Sequence, residues 1–133
     1  MSWDSYIDNL LGHTSGAADS ACIIGQDGSS WTTDAHPEAL RMTSDEINTV
    51  AACFKSGDFT TFQAGGICVG GIKYQFLRSD ENVVLGKKKD QGAITLQASK
   101  TAVVIAHCKE GHAQGQVNKG VAAIAEYLES LGM

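Results

Sequence analysis

Apolar side chains at positions 3, 6, 7, 10 and 11, with Asp4, Ser5, Asp8 and Asn9 between them, fall at the i, i+3, i+4, i+7 and i+8 spacing of one helix face. The spacing predicts a short amphipathic helix that ends near Gly12, followed by a small, polar loop over 16–20. Two β-favouring runs, 21–24 and 30–33, flank Gln26-Asp27-Gly28, an Asp-Gly turn signal that predicts a hairpin with Trp31 on its second strand. The single proline, Pro37, falls in the loop that follows. Thr43-x-x-Glu46 is a capping box that opens a second helix. Its Ile47, Val50, Ala51 and Phe54 keep the helical period, and Ser56-Gly57 closes it. From Phe59 onward the period changes to two. Runs over 62–69, 72–78, 83–88, 93–98 and 101–107, separated by short polar turns that include residues 79–82, predict an antiparallel meander. Val103, Val104 and Ile105 are apolar on both parities, as in a central strand covered on both faces. A last helix over about 115–131 places Val117, Val121, Ile124, Leu128 and Leu131 on one stripe.

The expected fold class is therefore α+β. A central antiparallel β-sheet of five to seven strands is flanked by the N- and C-terminal helices on one face, with a shorter helix elsewhere. Length agrees with one domain spanning 1–133, since 133 residues give one average core and no linker or internal repeat interrupts them.

Charge narrows the partners. Fifteen acidic residues against ten basic ones leave a net charge of −5, which disfavours bulk nucleic-acid binding because that needs a basic face to displace counterions. An anionic partner must meet a local basic patch. No apolar run approaches the roughly 20 residues of a membrane-spanning helix. Asp4 and Asp8 stand where a secretory signal would place positive charge, so a cytoplasmic location is expected. Cys22, Cys53, Cys68 and Cys108 are widely and irregularly spaced with no C-x-x-C pair. They are expected to be reduced and mostly in the core, with no metal and no cofactor.

Catalytic motifs do not emerge. Gly86-Lys87-Lys88 lacks the upstream glycine and the hydroxyl of a phosphate loop, Gly65-Gly66 and Gly70-Gly71 make no dinucleotide fingerprint, and neither G-x-S-x-G nor H-E-x-x-H occurs. The expectation is a non-enzymatic binding protein. Two rivals stay open at this point: a small-ligand-sensing α+β module, and a thiol enzyme that pairs Cys108 with a histidine.

Two clusters carry the binding chemistry. Tyr6 and Tyr127 fall on the flanks of their helical stripes and are expected to be half exposed. With Trp3 and Trp31 they are suited to line a groove whose rings stack on a polyproline II ligand and whose donors meet its unpaired carbonyls. On spacing alone the plainer reading, in which Trp3 and Tyr6 do no more than anchor the first helix to the core, is the favoured one. The second cluster is Lys73, Arg78, Lys87, Lys88 and Lys89, which gathers half of the ten basic residues into one hairpin region. Simple antiparallel counting sets Lys73 opposite Lys88, a like-charge pairing that costs stability and is better tolerated where an acidic partner docks. A solvated, aggregation-resistant edge is the plainer alternative.

The opening 1–11, with Trp3, Tyr6, Asp8, Asn9 and Leu10 in a W-x-x-Y-x-D-N-L pattern, resembles the start of profilins. The segments 21–25 leading to Trp31, 73–78, 101–107 and the terminal Glu126-Tyr127-Leu128 are each similar to profilin segments in the same order. The resemblance implies a protein that binds monomeric actin, speeds exchange of its nucleotide, binds proline-rich proteins, and interacts weakly with phosphoinositide headgroups. It implies a proline groove of Trp3, Tyr6, Trp31, Tyr127, Leu128 and Met133, with Met133 standing where the family often has a terminal aromatic. It also implies an actin surface of Lys73, Arg78, Lys87, Lys88, Gly115, Asn118 and Lys119, with Ala113 where some profilins have histidine. Phosphoinositide contacts would fall to Arg78, Lys87, Lys88 and Lys89.

Overall fold

In the computed structural model, residues 3–14, 16–33, 36–80 and 82–133 are described; Met1 and Ser2 of the opening pattern and Glu81 of the predicted 79–82 turn lie outside them. The elements run α1 (Ser5–His13), β1 (Ala18–Gly25), α2 (Ser44–Ser56), α3 (Thr60–Gly65), β2 (Ile67–Val69), β3 (Ile72–Asp80), β4 (Val83–Lys88), β5 (Gly92–Ala98), β6 (Ala102–Cys108) and α4 (Gln114–Ser130). One six-stranded sheet has the order β1-β6-β5-β4-β3-β2, and every neighbouring pair is antiparallel. The fold class read from the sequence holds.

The sheet separates two cores, and strand alternation decides which residue enters each. Ala21 and Ile23 of β1, with Ala102, Val104 and Ala106 of β6, face α1 and α4. Cys22 and Ile24, with Val103 and Ile105, face the side covered by α2 and α3. This is the two-sided burial that the 103–105 run predicts. The terminal helices lie side by side because Gly120 of α4 has no side chain. A Cβ there would stand 2.7 Å from Thr14 Cγ2 and 3.2 Å from the Leu10 carbonyl oxygen. The capping box of α2 forms in full: Glu46 N–H donates to Thr43 Oγ1 (3.2 Å) and Thr43 N–H to Glu46 Oε1 (2.9 Å). Gly57, at φ 74°, closes the helix in the left-handed region.

Four expectations need correction. Residues 62–69 do not form one strand; they complete α3 and then form the short β2, with Phe62 buried against the α2 side. The 26–28 turn folds back, but only an isolated bridge, Ile24 to Ser30, follows it, so Trp31 lies beyond regular strand pairing. Leu131 leaves the apolar stripe of α4, caps the helix and is 51% exposed. Lys73 pairs with Cys68 of β2 and does not pair with Lys88: the β3–β4 ladder starts at Asp80 opposite Val83, inside the predicted 79–82 turn, and its last pair is Gln75 with Lys87.

Candidate functional site

Four aromatic rings from three separate segments form a line across the terminal helices. Trp31 lies 4.7 Å from Trp3, Trp3 is stacked on Tyr6 at 5.2 Å, and Tyr6 lies 6.2 Å from Tyr127, centroid to centroid. Trp3 precedes α1, Tyr6 is in its first turn, and Tyr127 is near the end of α4, so the close packing of α1 on α4 assembles the line. Trp3 and Trp31 are partly buried and Tyr127 is 50% exposed. Tyr6 is 9% exposed, and so it departs from the half-exposed position its spacing predicts: the rings on either side cover it. Burial, with Tyr127 adding to it, raises the Tyr6 phenol above its ordinary value.

The residues beneath the line are core. Leu128 is fully buried and serves as its floor, so no surface contact is left to it. Met133 is half-buried against the same cluster as Trp3 and Trp31, and its main-chain oxygen accepts from Thr101 Oγ1 and Ser99 Oγ, each at 2.9 Å.

Hydrogen bonds invisible to helical or strand periodicity fix Trp31. Its Nε1–H donates to Ser29 Oγ (3.1 Å), and Ser29 Oγ donates to Asp27 Oδ1 (2.6 Å). The loop beyond it is tied to α1 twice. Asp4 accepts from Thr33 N–H (2.7 Å) and Thr33 Oγ1 (2.6 Å), and Asp8 meets His36 Nε2 at 2.8 Å. The Thr33 side-chain bond, then the backbone one, holds the Asp4 carboxyl below its ordinary value. No sequence motif announces Asp4, Thr33, Asp8 and His36 as partners. The one available signal is that both acids sit on the polar face of the helix that carries Trp3 and Tyr6.

The basic cluster gathers in part. Lys73, Lys87, Lys88 and Lys89 line one open cavity of about 510 Å³, with the 62–66 segment opposite them. Arg78 stands apart. The extra residue at Leu77 turns it onto the α4 side, where it shares a cavity of about 240 Å³ with Asn118 and Ala122. Asn118 Oδ1 accepts from the buried Thr95 Oγ1 (2.6 Å), so this side chain is partly engaged by the sheet. Gly115 and Lys119 are exposed near the start of α4. Lys87 also lines a third cavity of about 240 Å³ with Gln114, Cys108 and His112, which links the lysines to the start of α4.

The thiols have no catalytic geometry. Cys108 is 2% exposed and its Sγ donates to the carbonyls of Lys109 and His112, each at 3.6 Å; the His112 imidazole is not its partner. Burial pushes the Cys108 thiol up, the opposite of an activated nucleophile. Cys22 and Cys53 are buried as well, and Cys68 is exposed.

The Profilin family model matches residues 1–133. The chain belongs to the profilin family. A curated relative, the profilin of Clypeaster japonicus, is 61% identical over 140 aligned positions that cover 100% of both chains. Among solved structures, profilin II of Acanthamoeba castellanii is 31% identical, with a TM-score of 0.85 over 99% of this chain and 100% of its own. A more distant fold match is mouse profilin IIa, solved in complex with a double repeat from the FH1 domain of mDia1: 23% identity, TM-score 0.74, and full coverage of both chains. Profilins are non-enzymatic regulators of actin, and membership assigns this chain to that class. No helix among the described residues is long and apolar enough to cross a membrane.

Proposed function

We propose that the protein binds monomeric actin on one surface and proline-rich segments on another, and so delivers actin to growing filaments. The observation that carries the proline reading is the continuous line Trp31–Trp3–Tyr6–Tyr127. A polyproline II helix is preordered and presents pyrrolidine rings and free carbonyls, which such a line can sandwich and hydrogen-bond at low entropic cost. The complex of mouse profilin IIa with an FH1 repeat supports the same assignment.

Actin would meet the exposed lysines Lys73, Lys87 and Lys88, Arg78 beside Asn118, and Gly115 and Lys119 at the start of α4. Nucleotide exchange follows if the protein binds the open state of actin more tightly than the closed one. Phosphoinositide headgroups are a weaker ligand of Lys87, Lys88 and Lys89. Arg78 lines a different cavity from these three, and the net charge of −5 opposes an anionic surface. The whole reading places the protein in the cytoplasm, at the actin cytoskeleton.

Titration with a proline decamer, followed by tryptophan emission, tests the groove. Trp3→Ala removes the ring that contacts both Trp31 and Tyr6 and is expected to weaken the peptide about tenfold or more while actin binding persists. Equal losses at both partners would show that Trp3 acts only through folding.

A further inference from the structure

Beyond Trp31 the ring line opens onto a cavity of about 420 Å³ lined by Gln26, Asp27, Trp31, Lys55, Lys100 and Thr101. Three separate parts of the chain build it. Lys55 comes from the last turn of α2, Lys100 from the turn between β5 and β6, and Trp31 from the segment after the isolated bridge. Among the described residues neither lysine is within ion-pair distance of a carboxylate, and Lys55 acts on Asp27 only through space, as the last of the influences that lower that carboxyl. Asp27 is the one carboxylate in the lining, and its Oδ1 is taken by Ser29 N–H (3.1 Å) and Ser29 Oγ (2.6 Å). The hydroxyl of Thr101 is spent on the main-chain oxygen of Met133.

We propose that this cavity is an anion subsite of the proline groove, and that it takes an aspartate or glutamate side chain flanking one end of a proline-rich segment. The inference rests on the groove reading and narrows it to a ligand class. Trp31 is both the last plate of the ring line and a wall of the cavity. A polyproline II strand rises about 3.1 Å per residue, so a segment that crosses the rings reaches the lysines about one or two residues past its last stacked proline. The indole face and the lysine stems can cover the methylenes of the acidic side chain, while two ammonium groups meet its carboxylate. On a chain of net charge −5, two lysines against a single, already bonded carboxylate make this spot locally attractive to an anion. Trp31 stands at one end of the line and Tyr127 at the other, so the acid is expected to count at the ligand terminus nearest Trp31 and not at the other.

The test is a set of titrations of the whole protein with four peptides: a plain proline decamer, the decamer with two glutamates at its N-terminus, with two at its C-terminus, and with two lysines in place of the favoured glutamates. Glutamates at one end are expected to tighten binding about fivefold at low salt, and lysines at that end to weaken it. The gain should fade at high salt and vanish in Lys55→Ala/Lys100→Ala, a variant expected to bind the plain decamer as the parent does. Lys55→Gln and Lys100→Gln, made singly, should each remove part of the gain. Three outcomes overturn the subsite and leave the groove standing: no gain from glutamate, an equal gain at both ends, or a gain that survives the double substitution. Failure of the plain decamer to bind the parent protein overturns the groove reading, and the subsite with it.

Discussion

Asp4 shows how one residue sets the geometry of a surface it does not line. Its carboxylate accepts both donors of Thr33, 29 positions away, and thereby ties the loop after Trp31 to the helix that follows Trp3. Both bonds favour the ionised form, so the group titrates below its ordinary 3.8. A depressed carboxyl contributes order above its unfolded-state value and loses it as pH falls through the folded value. Proline-peptide affinity is therefore expected to hold at neutral pH and to fall at pH below about 4, as Asp4 and Asp27, which Ser29 holds down in the same way, become protonated. Asp4→Asn should start with an affinity lower by about threefold and show a shallower acid decline, because one of two bonds to Thr33 weakens and one titrating group is gone. Titrations across pH check this; an unchanged acid limb in the variant would remove Asp4 from the device. The rings themselves are legible in the sequence, since helical spacing brings Trp3 and Tyr6 to one side. Bonds such as Asp4 to Thr33 are not, because nothing in local periodicity encodes a contact across 29 positions.

At the scale of elements, the close approach of α1 and α4 is what brings Tyr6 to Tyr127. Gly120 permits it, and Gly120→Val is expected to cost about 1–3 kcal/mol through overpacking against Thr14 and the Leu10 carbonyl. Thermal unfolding should register that loss, and peptide affinity should fall with it as the helices part; an unshifted melting temperature would show that the contact is compliant. The elements read well from sequence where one force dominates: the capping box of α2, the stripe of α4, the double parity of β6. They read poorly where two signals compete. Residues 60–65 carry β-favouring threonines and a phenylalanine, yet tertiary burial of Phe62 makes them a helix. The extra residue at Leu77 is a bulge that no alternation pattern reports; it sets Arg78 opposite Leu85 and so turns it to the α4 side.

Across the whole molecule the sheet order keeps the two proposed surfaces apart. The ring line lies over the β1 side, and β6 and β5 intervene before β4, which carries Lys87 and Lys88. Lys88 lines the cavity against the 62–66 segment and not the one that Lys87 shares with Gln114 of α4, so a charge change there should leave the rings intact. Lys88→Glu is expected to weaken actin binding several-fold at low salt, to flatten its salt dependence and to leave proline-peptide affinity unchanged. Pull-down or titration with monomeric actin at two ionic strengths checks it, and unaltered affinity at low salt would take Lys88 out of the surface.

One small chain is expected to hold two partners at once without either disturbing the other. The most direct measurement is the affinity for a proline decamer with and without saturating monomeric actin. Independent surfaces predict the same affinity within about twofold and a stable ternary complex, since coupling free energy between them is near zero. Displacement of the peptide by actin, or a tenfold weakening, would contradict the account.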